Sequence, residues 1–131
     1  MDLDADGNLD LLSGSYSRSG GDMAGLFQVL WGEKDGTFRP AKALQGSDGK
    51  ELLLPAGGSE DVDIDRSCTR AFAADLDGDG KLDLVSGNFA GTFAFFRGEG
   101  PGKFAPVATW LQVPGGPMKV GAHSDPFLID W

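Results

Sequence analysis

One cysteine, Cys68, and one histidine, His123, stand among 131 residues. A single thiol excludes an intramolecular disulfide and any thiolate cluster for zinc, which leaves Cys68 the role of a small buried apolar residue. Basic residues are scarce. Eleven Lys and Arg against 20 Asp and Glu leave a formal charge of −9, with no electrostatic footprint for nucleic acid or an anionic membrane. No apolar run approaches the ~18 residues of a membrane span. Met1 is followed by DLDADG, not by a basic and then apolar stretch, so an export signal would have to lie upstream. Sustained helical periodicity is lacking too. With 21 glycines and seven prolines, the short runs rich in Val, Leu and Phe between Gly, Asp and Ser clusters predict strands and tight turns, and the expected fold class is all-β.

What the chain has in abundance is aspartate, and it is concentrated. DLDADGNLDL (2–11) and DLDGDGKLDL (75–84) hold eight of the 20 acids, and a shift of 73 positions lays one on the other from Asp2 over Asp75 to Leu11 over Leu84. The repeat continues. WGEKDGTFRP (31–40) parallels FRGEGPGKFAP (96–106), ALQGSDGKELLLP (43–55) parallels WLQVPGGPMKV (110–120), and SCTRAFAADL (67–76) parallels HSDPFLIDW (123–131), with Phe72 over Phe127 and Asp75 over Asp130. One unit is an apolar strand ending in Asp, an acidic loop and three further strands. Such four-stranded antiparallel units repeated radially describe β-propeller blades. In the second unit strands A to D are predicted at about 69–75, 82–88, 91–97 and 103–111; in the first, B to D fall at about 9–16, 25–31 and 37–44, and strand A is missing. The expected organisation is a first blade at 1–66, a complete second blade at 67–121 and strand A of a third at 122–131. Within the first blade, SRSGGDMAG (17–25) lengthens the B–C loop and residues 45–66 make an outer hairpin excursion. About two blades make a fragment or a partial propeller.

Four carboxylates within nine positions repel one another unless something neutralises them. In DxDxDGxxD the first, third and fifth side chains converge around one turn, the sixth residue is Gly because the chain bends sharply there, the seventh offers its carbonyl, and the ninth returns a carboxylate. Hard oxygen donors without sulfur or imidazole suit Ca²⁺ better than Mg²⁺. An EF-hand would need Glu at position twelve and a dockerin-like loop Asp or Asn, where this chain has Ser13 and Ser86. An ion-free Asp/Gly turn fits one copy well. Two copies with the same four acids at the same spacing favour the metal.

The segments AFAADLDGDGKLDLVSGN, GTFAFFRGEGPGKF and HSDPFLIDW resemble FG-GAP, or VCBS, repeats, the blade unit of integrin-α-like propellers. The resemblance implies two calcium ions, one held by Asp2, Asp4, Asp6, Asn8 and Asp10 and one by Asp75, Asp77, Asp79, Lys81 and Asp83, in loops joining strands A and B. It implies a non-catalytic module, secreted, periplasmic or at the cell surface, that recognises a protein or glycan, mediates adhesion or acts as a scaffold. The alternative is the propeller part of a calcium-dependent carbohydrate-active or other hydrolytic or lyase enzyme. Propellers of this family have about seven blades. This chain is then expected to be part of a larger propeller or a homo-oligomer by strand exchange, in which GAHSDPFLID (121–130) completes another subunit's first blade.

The other chemically suggestive residues have plainer readings. His123, Ser124 and Asp125 are adjacent, and neighbours on a strand point to opposite faces, so they cannot form a local triad. Trp31, Trp110 and Trp131 could stack sugars but are expected in the core, and Phe72, Phe93, Phe95, Phe104 and Phe127 are expected between blades. SEDVDIDRS (59–67) has Arg66 where a metal loop needs Gly, and is expected to be polar strand or loop.

Overall fold

A computed structural model describes residues 1–16, 24–55 and 62–129. Most of the 17–25 loop, part of the 45–66 excursion, and Asp130 and Trp131 lie outside the described residues.

Two antiparallel meanders make up the fold. The first sheet has the order β1 (Leu11–Ser13), β2 (Gln28–Leu30), β3 (Lys42–Ala43), and the second has the order β4 (Arg70–Ala74), β5 (Asp83–Gly87), β6 (Phe93–Phe96), β9 (Thr109–Trp110). Registers run from Arg70↔Gly87 to Ala74↔Asp83 and from Leu84↔Phe96 to Gly87↔Phe93, closing with Ala94↔Trp110. These are the strands A to D predicted for the second unit and B to D for the first. The protein is all-β in small sheets, as a partial propeller would be, with one short helix among the described residues.

Two details depart from expectation. Strand D was expected from residue 103, yet Lys103–Phe104 (β8) folds back on Gly98–Gly100 (β7) as a separate hairpin, and the sheet resumes only at Thr109. Within 59–67, expected to be strand or loop, Val62–Arg66 forms a single helical turn, α1. A last hairpin, β10 (Gln112–Val113) with β11 (Gly116–Pro117), follows β9.

Alternation along the strands decides which side is buried. Ala73, Leu84, Ala94 and Phe96 of the second sheet meet Phe27, Val29, Leu44, Leu52 and Leu54 of the first half in one core cluster. Phe27 and Phe96 touch edge to face across it, centroids 5.7 Å apart. Phe104 is buried there, and Trp31 and Trp110 pack against it, which is the core placement expected of them. Phe72, Phe93 and Phe95 are half-buried on the second sheet's other face, and Phe72 meets Phe127, which is exposed. Cys68 is buried.

A repeated joint fixes one sheet on the next. Thr69 donates its N–H to the Ser15 carbonyl at 2.9 Å, and its hydroxyl accepts the Ser15 N–H at 2.6 Å. Ser124 and Asn88 reproduce this one unit later, with the Ser124 N–H on the Asn88 carbonyl at 3.0 Å and the Asn88 N–H on Ser124 Oγ at 2.8 Å. The preceding residue is glycine both times, Gly14 and Gly87, because a Cβ would strike the carbonyl oxygen of Thr69 or Ser124. Backbone cannot swing aside as a flexible side chain can. Gly14→Ala and Gly87→Ala are therefore each expected to cost about 1–3 kcal/mol in urea denaturation, whereas losses under about 0.5 kcal/mol would contradict the joint.

Candidate metal centre

Both aspartate loops are built by the chain's own amides. Asp2 accepts the N–H of Asp6 on one oxygen and of Gly7 on the other, both at 3.0 Å. Asp75 likewise accepts Gly78 and Asp79 on one oxygen, at 2.8 and 3.1 Å, and Gly80 on the other at 2.8 Å. The amide of Asp6 also reaches Asp4, and that of Asp79 reaches Asp77, each at 3.2 Å. Such turns need left-handed backbone at the fourth and sixth positions: φ is 59° at Ala5 and 92° at Gly7, 77° at Gly78 and 82° at Gly80. The sixth-position glycine follows from the sequence pattern; the left-handed fourth position was not foreseen.

The ninth carboxylate does something different from the other three. Asp83 is fully buried; its Oδ2 accepts the Leu76 N–H at 2.9 Å and its Oδ1 the Gly98 N–H at 2.6 Å. Asp10, also buried, accepts Leu3 at 2.7 Å and Gly32 at 2.8 Å in the same manner. Each carboxylate ties the start of its loop to the residue just past β2 or β6, Gly32 or Gly98, where a Cβ would strike the carbonyl of Leu9 or Leu82.

Oxygens of Asp2, Asp4 and Asp10 lie within 4.8 Å of one another, as do those of Asp75, Asp77 and Asp79; among the described residues these are the two clusters of this kind. The sets differ in one member. Asp6 turns its Oδ1 to the backbone and side-chain amides of Asn8, and Asp83 stays with its two amides. The seventh-position side chains bind their own loop: Lys81 Nζ sits 2.8 Å from Asp79 Oδ2. Arg97 adds a cation that the sequence reading missed, 3.0 Å from Asp77 and 3.4 Å from Asp79. Its signal was a basic residue directly before Gly98, the residue that Asp83 draws to the loop; Trp31 holds that place before Gly32. The two loops are neighbours, since Asp2, Leu3 and Ala5 line a small cavity with Gly80, Lys81 and Leu82.

Charge is less compensated in the first loop. Partial burial, and then the charge of Asp6, hold the Asp4 carboxyl above its ordinary range. Asp79 is held below it by the hydrogen bonds of Lys81, and Asp6 by those of Asn8. The donor set, all oxygen and mostly anionic, fits a hard divalent cation. His123 and its neighbours lie elsewhere, with His123 edge-on to Phe89 and the Ser124 hydroxyl engaged by Asn88 and Thr92.

Substitution separates the two kinds of aspartate. In chelator, Asp83→Asn must turn an amide N–H toward one of the two backbone donors, a loss expected to be about 2–4 kcal/mol by thermal or urea unfolding. Asp77→Asn, at the exposed rim, should stay within about 0.5 kcal/mol of the parent chain. Equal losses would show that burial of the ninth carboxylate is not what holds the loop.

Residues 75–131 match the family described as FG-GAP-like repeat. No curated protein and no solved structure matches the chain. The matched residues include the second acidic loop, strands β5 to β11 and the second copy of the joint. The chain thus carries an FG-GAP-like repeat in residues 75–131.

Proposed function

We propose that the protein is a non-catalytic, calcium-binding propeller-type module whose ions brace the turns between strands A and B. One observation carries this reading: the same loop is built twice, each time with three carboxylates converging on one point. Asp2, Asp4 and Asp10 supply the core of the first site, completed by Asp6 and the Asn8 carbonyl. Asp75, Asp77 and Asp79 supply the second, completed by the Lys81 carbonyl and Asp83. A carboxylate oxygen that accepts one N–H keeps a lone pair for a cation, so the clamp and the ligand role of the ninth position are compatible.

In the absence of an ion, Lys81 and Arg97 neutralise part of the second loop; with the ion bound they turn outward to solvent. Extracellular modules bind calcium at about 10⁻⁴ to 10⁻³ M. That range suits a protein that works where calcium is plentiful, in recognition of a protein or glycan or as a scaffold. Among the described residues no helix is long and apolar enough to cross a membrane.

Calorimetry with CaCl₂ on the chelator-stripped chain is expected to give two equivalents, and Asp77→Ala to leave one. At 100 times the dissociation constant each occupied site adds about 2.7 kcal/mol to stability, so the unfolding midpoint should rise on adding calcium and fall back with EDTA. Absence of both heat and a midpoint shift at about 10 mM calcium, well above the expected range, would refute the reading.

A further inference from the structure

We propose that the cleft between the first sheet and the β7–β8 hairpin binds a neutral saccharide, a single pyranose or a disaccharide. The site deepens the recognition reading of the function, on which it rests, and takes no residue from the two aspartate loops.

The cleft has a volume of about 510 Å³, within the range of about 300–1,000 Å³ usual for small-ligand pockets. Contacts between the two units hold it at both ends. At one, the Gly102 N–H donates to the Leu3 carbonyl at 2.7 Å, and a Cβ on Gly102 would lie 3.3 Å from the Trp31 ring. At the other, next to Gln45, Gly46 bridges to Phe104, and the Ser47 N–H donates to the Phe104 carbonyl at 2.9 Å. The opening therefore lies between two packed parts of the molecule and is not an uncovered face.

Its lining combines an apolar surface with polar groups that have nothing to bind. Val29 and Leu44 are buried at the cleft, and Trp31, half-buried against the core, lines it too. Lys42, Gln45 and Glu51 complete it, all exposed. Among the described residues the side chains of these three make no hydrogen bond or ion pair, nor does the Trp31 indole N–H. Lys42 can only donate, Glu51 only accept, and Gln45 does both. One cation and one anion leave no net charge for an ionic ligand to answer, and the formal charge of −9 on the chain works against an acidic one. A neutral sugar matches the set: each hydroxyl donates and accepts, and the C–H face of the ring offers an apolar surface to an indole.

Comparison of the two units separates scaffold from ligand groups. Val29↔Lys42 in the first sheet corresponds to Phe95↔Thr109 in the second, and the Leu52–Leu44 hydrogen bond to that of Met118 with Leu111. On this register Gly32, Leu44 and Gln45 recur as Gly98, Leu111 and Gln112. Trp31, Lys42 and Glu51 do not recur; their places are taken by Arg97, Thr109 and Pro117, and Arg97 is turned to the second acidic loop. The blade folds without the three residues, which frees them to serve a ligand.

NMR titration of the isotope-labelled 131-residue chain tests the site with the methyl glycosides of glucose, galactose, mannose and N-acetylglucosamine, in calcium and again in EDTA. At least one is expected to bind with a dissociation constant of about 1–10 mM, as suits so small a ligand, and to move the Trp31 indole N–H signal. Lys42→Thr, which installs the residue of the second sheet, and Glu51→Gln should each weaken binding at least about fivefold. Lys50→Thr removes the same charge outside the cleft and should leave the affinity unchanged. No binding of any of the four glycosides at about 50 mM, well above that range, overturns the proposal. So do shifts that spare Trp31, or Lys42→Thr and Glu51→Gln variants that bind like the parent. Calcium uptake is read separately by its own heat, so a chain that takes calcium and no sugar overturns this site alone, and one that takes sugar and no calcium overturns only the metal reading.

Discussion

Two backbone amides pointing at one buried carboxylate hold the rest of the architecture together. A charge without water is tolerated only when its lone pairs are satisfied, and Asp83 meets that condition with Leu76 on one side and Gly98 on the other. Leu76 opens the acidic loop and Gly98 opens β7, just past the end of β6, so the bond network fixes the loop against the sheet. Asp10 repeats the arrangement with Leu3 and Gly32. The ninth acid of each loop therefore belongs to the core, and in the second loop the other three form a shallow, solvent-facing basket, whereas in the first Asp10 itself joins Asp2 and Asp4.

The joint between sheets rests on a similar economy of residues. A hydroxyl at Thr69 or Ser124 and the absence of a side chain at Gly14 or Gly87 let two backbones approach closely, and the apolar faces beyond them close into the core. Because the joint brings one sheet against its neighbour, it also sets the two loops side by side at one end, where Asp2 to Ala5 adjoin Gly80 to Leu82. Acidic loop, strand and joint are thus linked through a few hydrogen bonds to backbone amides that recur from unit to unit.

Much of this was legible in the sequence because the forces involved are local. The short apolar runs around Phe72, Leu84 and Phe95, set between Gly, Asp and Ser clusters, identify strands, and the Asp spacing fixes side-chain-to-amide bonds only two to five residues apart. What escaped is non-local. Nothing in DGDGKLDL says that its last aspartate turns inward, since its partner at Gly98 is 15 residues away; a carboxylate flanked by Leu82 and Leu84 in a core strand was the available hint. Arg97 reaches Asp77 only because Asp83 has drawn Gly98 to the loop. Strand D is cut short because residues 103–104 pair with 98–100 and not with β6, a competition between hairpin and sheet that composition cannot decide. Ser124 stands beside His123 in a trio that strand geometry bars from acting as a triad, and its hydroxyl is the bolt of a joint whose other copy uses Thr69.

The central claim is that the ninth-position carboxylate shapes each loop before any ion arrives. Amide hydrogen exchange by NMR in chelator tests it most directly. The account predicts that the N–H groups of Leu3, Gly32, Leu76 and Gly98 exchange at least about a hundredfold more slowly than those of Gly78 and Asp79 at the exposed rim of the loop. If those four amides exchange as fast as the rim and become protected only when calcium is added, the clamp is a product of the metal and the account is wrong.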